Sequence, residues 1–279
     1  MTNDLTHTDA DYRAYGPWEQ FIRTASDHTM LRRGPLQSLI TLSEDVLARG
    51  IPGAFVETGV WRGGAGFVMA EAIRRAGDDT RQVWMFDSFE GLPPPSNVDG
   101  TRAEQYLRDT DSPWYHDNCC ADFDSVVATA DQLGFAPRIV KGWFDTTLPT
   151  HAEAIGPIAL LRIDCDWHDS VLVCLETLFD QVSPGGVVII DDYFYYDGAA
   201  VAVHEFLGRR SAPFRIESVL SDGAGRAYNE GAFLRKIATP DQDRGQRVST
   251  LARFTTRPTN PEHAVHDRTP ASQFVGPRR

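Results

Sequence analysis

The stretch LLRIDCDWHDS, residues Leu160–Ser170, passes from an apolar run directly into acidic residues. A second stretch, GGVVIIDDY at Gly185–Tyr193, repeats the pattern. Apolar runs of this kind are typical of strands that are buried on both faces of a parallel sheet. A segment with helical spacing, 170–181, separates the two, which indicates one right-handed strand–helix–strand crossover. We therefore expect two neighbouring parallel strands whose carboxyl ends both carry acids.

Strand and helix patterns alternate over the rest of the chain. This alternation predicts one α/β domain with a doubly wound, mostly parallel sheet. The sequence divides into N-terminal helices over 1–53, the sheet domain over 54–238 and a Pro- and Arg-rich, loosely ordered tail over 239–279. The other predicted strands are AFVETGV (54–60), QVWMFDS (82–88), RIVKGWF (138–144), FRIESVL (214–220) and GAFLRKI (231–237), and an antiparallel arrangement is expected for the last two.

Composition excludes several classes of partner. The formal net charge is −12, so a nucleic-acid or anionic-lipid surface is not expected. The polar, acidic N-terminus has no signal-peptide pattern, and no apolar run approaches the ~20 residues that span a bilayer. The four cysteines have no zinc spacing and are interpreted as free thiols. We expect a cytoplasmic protein with a small-molecule substrate.

The first strand ends in VETGVWRGGAG, which predicts a cofactor crevice. Ligands of open α/β sheets bind at the carboxyl ends of the strands. The glycines do not fit the dinucleotide fingerprint G-x-G-x-x-G, so a pyrophosphate cradle is not expected. Glu57 before a short glycine turn suits a cofactor without phosphates, such as S-adenosylmethionine. Asp87 at the next strand end could accept hydrogen bonds from ribose hydroxyls, and Trp143 offers an aromatic face for a base.

The acids at the two original strand ends predict a metal site. Neighbouring strands lie about 4.8 Å apart, so Asp164, Asp191 and Asp192 would repel one another without a cation. Carboxylate oxygens favour Mg²⁺, Mn²⁺ or Ca²⁺ over Zn²⁺. Asp166 follows Asp164 by two residues and would point to the same side of an extended chain, which suits a general base. His168 is the second candidate for a catalytic role.

Together these segments resemble the macrocin O-methyltransferase family, whose members methylate sugar hydroxyls of antibiotics. The resemblance covers roughly residues 28 to 237 and includes the order and the spacing of the motifs. The matching stretches are FVETGVWRGGAG, DSFEGLP, KGWFDTTLP, LLRIDCDWHDS and VSPGGVVIIDDY. The family often has Asp-Gly-Asp-Leu-Tyr-Glu-Ser in place of DCDWHDS, and the insert at 96–118 looks longer than usual, so the acceptor pocket is expected to differ.

The resemblance implies a Rossmann-like class I methyltransferase sheet of seven strands, the last antiparallel, with an N-terminal helical lid. It implies Mg²⁺ on Asp164, Asp191 and Asp192, with Asp166, or else His168, as the base. It also implies a homodimer or a larger homo-oligomer. The predicted S-adenosylmethionine site comprises Glu57, Thr58, Gly59, Gly63, Asp87, Ser88, Gly142, Trp143 and Asp164.

The function predicted is thus Mg²⁺-dependent methylation of a sugar hydroxyl on a glycosylated natural product. A metal-dependent methyltransferase of catechols is the main alternative, since an aromatic diol chelates as well as a sugar diol. An NAD-dependent dehydrogenase is disfavoured by the missing fingerprint. A non-catalytic scaffold is disfavoured because every acid that the chemistry needs is present.

Overall fold

Within residues 9–210, 214–223 and 226–237, which the computed structural model describes, seven strands form one sheet. The strands are β1 (Ala54–Thr58), β2 (Val83–Asp87), β3 (Arg138–Lys141), β4 (Ile158–Ile163), β5 (Val182–Ile190), β6 (Ile216–Gly223) and β7 (Arg226–Arg235). The α-helices are α1 (Asp9–Ala14), α2 (Glu19–Ala25), α3 (Arg33–Ala48), α4 (Gly64–Ala76), α5 (Gly100–Arg108), α6 (Phe123–Leu133), α7 (Phe144–Ile155), α8 (His168–Leu178) and α9 (Asp197–Gly208).

The strand order is β3-β2-β1-β4-β5-β7-β6. Strands β1 to β5 are parallel, whereas β7 runs antiparallel to both β5 and β6. The chain therefore winds outward from β1 in one direction and from β4 in the other. A crevice opens where such winding reverses, at the carboxyl ends of β1 and β4. The predictions of a doubly wound sheet, of neighbouring β4 and β5, and of an antiparallel last strand are confirmed.

Alternation along the strands builds two cores, one on each face of the sheet. Phe55 and Leu160 pack with helices α2, α3, α4 and α6. Their neighbours Val56 and Leu161 point the other way and pack with α7, α8 and α9. Because both faces are covered, β1, β2 and β4 are buried along their whole length, as their apolar sequences predict.

One local prediction was wrong. A strand was predicted over 138–144, but the third strand ends at Lys141 and the residues after Trp143 form helix α7. Its Pro149 masks the helical pattern, although the helix continues through it. Strand β5 begins at Val182 and includes the SPGG segment, where its register with β4 is irregular. Part of the 96–118 insert forms helix α5.

The 239–279 tail lies outside the described residues, so its loose order stays a prediction, as do the domain boundaries. Among the described helices, none is both long and apolar enough to cross a bilayer.

Candidate active site

The carboxyl ends of the central strands line a cavity of about 470 Å³. Glu57 from β1 and Asp87 from β2 lie in its wall together with Asp164, Asp191 and Asp192, which follow β4 and β5. The predicted convergence of acids from four strand ends is therefore present. The cavity is large enough for a cofactor-sized ligand.

Arg162 on β4 connects these acids. Its side chain is only 2% exposed, and its Nη1 donates to Glu57 Oε1 at 2.8 Å and to Asp164 Oδ2 at 2.7 Å. Its Nη2 forms an ion pair with Asp191, 2.8 Å from Oδ1. The register explains the geometry, since Arg162 pairs directly with Glu57 on β1. One buried guanidinium thus joins the cofactor side of the crevice to the predicted metal side.

One arginine does not neutralise all the acids. Burial raises the pKa of Glu57 to about 8, partly offset by Arg162. Burial likewise raises the pKa of Asp191 to about 7, again against the effect of Arg162. The pKa of Asp192 is raised well above its usual range, first by burial and then by the charges of Asp166 and Asp164. The site therefore carries more negative charge than the Arg162 guanidinium can balance.

The acid cluster, Asp164, Asp191 and Asp192, has the donor set of a hard divalent cation. One carboxylate oxygen from each residue lies within 4.8 Å of the other two. In addition, Asp192 Oδ2 is buried without a hydrogen-bond partner. Carboxylate oxygens in this arrangement suit Mg²⁺ or Mn²⁺. A bound divalent cation would both satisfy that oxygen and relieve the repulsion among these three carboxylates.

Asp166 is placed by a strained turn. Its φ is +59°, and Trp167 N–H donates to Cys165 C=O at 2.6 Å across it. This is a γ-turn of the rare positive-φ kind, which stores strain at a residue other than glycine. The expectation of an extended chain from Asp164 to Asp166 was therefore wrong. Asp166 nevertheless lines the cavity, where burial and then the charge of Asp164 raise the pKa of its carboxyl well above the usual range.

The Asp87 carboxylate is largely occupied by backbone groups. Its Oδ2 accepts from the N–H groups of Val60 and Trp61 at 2.7 and 2.9 Å, and its Oδ1 accepts from Phe89 N–H at 2.7 Å. A carboxylate has about four acceptor positions, so one remains for a ligand. Asp87 thus fixes the backbone of the glycine turn after β1. Its one remaining acceptor position can accept a hydrogen bond from one ribose hydroxyl and not from two. Ser88 Oγ accepts from Glu90 N–H at 3.0 Å and donates to Gly91 C=O at 3.2 Å.

The turn after β1 depends on glycine at residue 59. Gly59 has a φ of +86°, and a Cβ atom there would lie 1.6 Å from the carbonyl oxygen of Asp164. Only a residue without a side chain lets β1 and β4 approach each other in this way. Across the crevice, the Trp143 side chain is 43% exposed and lines the cavity, so its ring is accessible to a ligand.

Three predicted cofactor residues, Thr58, Gly63 and Gly142, lie next to the cavity wall and not in it. Thr58 is fully buried, with its Oγ1 3.6 Å from Cys165 Sγ. Gly63 is the N-cap residue just before α4 and has a left-handed conformation, and Gly142 N–H donates to the carbonyl of Asp87 at 2.8 Å. None of these three is among the described residues that line the cavity.

His168 has a different environment from the one expected of a base. Its Nδ1 lies 2.7 Å from an Asp169 oxygen, and its Nε2 lies 3.0 Å from an oxygen of Glu205 on α9. Burial lowers the pKa of His168, but the hydrogen bonds to Asp169 and Glu205 outweigh it and raise the pKa above its ordinary value. His168 is not among the described residues that line the cavity. The His168 ring therefore joins α8 to α9 and does not face the acid cluster.

The outer wall of the cavity comes from four distant segments that the sequence did not connect. They are the stretch before α3, the 96–118 insert with the residues just after it, the loop after β5, and β7. Arg32 joins three of them, because its guanidinium pairs with Glu230 at 3.7 Å and lies over the Trp114 ring, 5.3 Å from the centroid. Arg162 was also missed, although it is a lone charge in an otherwise apolar strand.

Comparisons with known proteins agree with this geometry. Residues 4–225 match the family described as Macrocin-O-methyltransferase (TylF). The chain is 37% identical over 218 residues to 8-demethyl-8-(2,3-dimethoxy-alpha-L-rhamnosyl)-tetracenomycin-C 4'-O-methyltransferase of Streptomyces olivaceus, covering 76% of this chain and 79% of the relative. It is 32% identical over 224 residues to demethyldecarbamoylnovobiocin O-methyltransferase of Streptomyces niveus, covering 79% and 83%. Among solved structures, the O-methyltransferase NovP superposes with a TM-score of 0.64 at 29% identity, over 76% of this chain and 83% of NovP.

Proposed function

The chain belongs to the macrocin O-methyltransferase family, and on that premise we propose that it transfers a methyl group from S-adenosylmethionine to a sugar hydroxyl of a glycosylated natural product, with a divalent cation. The observation that carries the proposal is the acid cluster of Asp164, Asp191 and Asp192 beside a crevice with a glycine turn. A glycoside as the acceptor is supported by two relatives, the rhamnosyl-tetracenomycin 4'-O-methyltransferase named above and mycinamicin III 3''-O-methyltransferase of Micromonospora griseorubida, to which the chain is 34% identical over 217 residues.

The cofactor would bind between the turn after β1 and the Trp143 ring. Glu57 presents a buried oxygen, Oε2, that has no hydrogen-bond partner, which suits the ammonium of an amino-acid head group. The exposed Trp143 ring suits stacking against a purine. Asp87 holds the backbone of the turn and keeps one acceptor position for a ribose hydroxyl.

The acid cluster would hold Mg²⁺ or Mn²⁺. When bound, S-adenosylmethionine supplies the electrophilic methyl group, and the cation lowers the pKa of a sugar hydroxyl. The chain's own task is to orient that hydroxyl and to take its proton. Asp166 lies in the same wall, and burial together with the charge of Asp164 raises the pKa of its carboxyl, which makes the carboxylate a stronger base. We assign the base to Asp166 rather than His168, because both nitrogens of His168 already face carboxylates.

The test is methyl transfer from S-adenosylmethionine to a panel of glycosides and catechols, with Mg²⁺ and again with EDTA. We expect methylated glycosides with Mg²⁺ only. Asp166→Asn should lower kcat by about 10²–10⁴-fold while the Kd for S-adenosylhomocysteine stays within a factor of two or so. Glu153→Gln, an exposed change on α7, serves as the control. Methylation of catechols alone would replace the acceptor that we propose, and unchanged turnover in Asp166→Asn would remove Asp166 as the base.

The homo-oligomer expected for this family and a cytoplasmic location stay predictions. Light scattering on the purified chain measures the first.

A further inference from the structure

Exposed aromatic side chains are concentrated at the mouth of the cavity. Among the described residues, seven large apolar side chains are exposed, and the four aromatic ones all line this one cavity. Trp143 is one of them and belongs to the proposed cofactor side. The other three form what we call the aromatic rim: Trp114, Phe194 and Tyr195, which are 37%, 41% and 56% exposed. Single exposed apolar residues are ordinary, but a group of them around a cavity marks a binding surface.

Two rings of the aromatic rim are held in place by arginines. The Arg102 guanidinium lies over the Tyr195 ring, 4.6 Å from its centroid, and its Nη1 donates to the Tyr195 carbonyl at 2.8 Å. Arg32 lies over Trp114 in the same manner and also pairs with Glu230. These contacts occupy the cations and hold the rings at the mouth, in two segments that are far apart in sequence. The remaining surface of each ring is free to contact a flat apolar group.

The charge of the described cavity wall disfavours a phosphorylated acceptor. Among the described residues, its lining includes seven carboxylate side chains and two arginines, Arg32 and Arg162. Both arginines already pair with carboxylates. A divalent cation in the acid cluster would still leave the wall anionic. The two phosphates of a sugar nucleotide would therefore enter a repulsive field without a free guanidinium among the described lining residues.

Resting on the proposed function, we infer that the acceptor is an uncharged glycoside with a planar aromatic aglycone. The aglycone lies between the rings of the aromatic rim, and the sugar points inward to the acid cluster. Methyl transfer thus follows attachment of the sugar to the aglycone, and a nucleoside diphosphate sugar is not the substrate.

The experiment compares three probes that carry the same sugar: an anthraquinone rhamnoside, methyl rhamnoside and thymidine diphosphate rhamnose. Calorimetric titration into the protein with S-adenosylhomocysteine and Mg²⁺ gives each Kd, and methyl transfer gives each KM. Two ring contacts of about tenfold each predict that the anthraquinone rhamnoside binds about 100-fold more tightly than methyl rhamnoside. The nucleotide sugar should bind more weakly than either glycoside.

Variants attribute that difference to the aromatic rim. Tyr195→Ala and Trp114→Ala should each weaken binding of the anthraquinone rhamnoside about tenfold. Tyr195→Phe keeps the ring and should retain the affinity. Val201→Ala is the matched control, since Val201 is 44% exposed but is not among the lining residues.

Each outcome separates the two proposals. Equal affinity for the anthraquinone and methyl rhamnosides, or tighter binding of the nucleotide sugar, would overturn the inference about the aglycone. Methyl transfer to a sugar in that same experiment would leave the proposed function standing. Conversely, rim-dependent binding without methyl transfer to any sugar would support the aromatic rim and refute the proposed reaction.

Discussion

Replacing Arg162 with methionine would remove the buried cation shared by three carboxylates. Met is unbranched and of similar length, so the variant tests charge more than volume. The guanidinium contacts Glu57, Asp164 and Asp191 at 2.7–2.8 Å. At an effective dielectric of about 20, charges about 4 Å apart attract by about 4 kcal/mol per pair. Burial of four charged groups offsets most of this sum, so the whole network contributes little net stability.

The variant nevertheless leaves one buried acid, Glu57, and two half-buried acids, Asp164 and Asp191, without their partner. Breaking a buried ion pair in this way costs about 3–5 kcal/mol. We therefore expect the free energy of unfolding of Arg162→Met to fall by about 3–5 kcal/mol in EDTA at pH 8. Because Asp164 and Asp191 belong to the acid cluster, Mg²⁺ should replace part of the lost charge. The gain in stability on adding Mg²⁺ should accordingly be larger in the variant than in the wild type.

Urea unfolding followed by tryptophan fluorescence, in EDTA and in Mg²⁺, measures both quantities. Arg108→Met is the matched control, because Arg108 is 76% exposed and forms a surface pair with Glu104. The control should change stability by less than about 0.5 kcal/mol. An Arg162→Met variant within about 1 kcal/mol of the wild type would refute the reasoning about uncompensated acids. A gain from Mg²⁺ that is equal in both proteins would refute the link between Arg162 and the metal site.

Further predictions concern the glycine turn, the histidine contact and the acid cluster. Gly59→Ala places a Cβ against the Asp164 backbone at a φ of +86° and should lower the free energy of unfolding by more than about 4 kcal/mol. Gly134→Ala is the control, because Gly134 has a φ of +74° but open space around it, and it should lower that free energy by about 1–2 kcal/mol. Similar urea midpoints for the two variants would be inconsistent with this reasoning. Glu205 helps to raise the pKa of His168, so its stabilising effect is present below the unfolded pKa of about 6.5 and is lost as pH rises through the folded pKa. Glu205→Gln should therefore lower Tm more at pH 5.5 than at pH 8, two values about one unit or more to either side of that pKa. A loss of Tm that is independent of pH would contradict the contact between Glu205 and a charged His168. Asp192→Asn should weaken Mn²⁺ binding by at least about tenfold in calorimetry, and an unchanged affinity would place the metal elsewhere.

The sheet and the acid cluster could be predicted because both depend on short patterns. Apolar runs that end in acids identify β4 and β5, and parallel neighbours necessarily bring Asp164 and Asp191 to the same edge. Arg162 was predictable in principle, since it alternates with Asp164 on one face and lies opposite Glu57. A charge in a strand buried on both faces requires a partner, and the nearest acids are those at the strand ends.

Other features depend on contacts between distant segments. The γ-turn at Asp166 has a positive φ but no local signal such as glycine. His168 looked like a candidate base until α9 placed Glu205 against its second nitrogen. The outer wall, including Trp114 and Tyr195, combines segments whose positions follow from the whole fold. Helix α7 was missed because Pro149 reads as a helix breaker.

The most direct test of the metal-dependent site is a crystal grown with Mn²⁺ and S-adenosylhomocysteine and measured for anomalous scattering. We expect one strong anomalous peak bound by oxygens of Asp164, Asp191 and Asp192, with the cofactor against Glu57 and Trp143. An anomalous peak at other residues, or none at saturating Mn²⁺, would contradict the assignment of the acid cluster as the metal site of this methyltransferase.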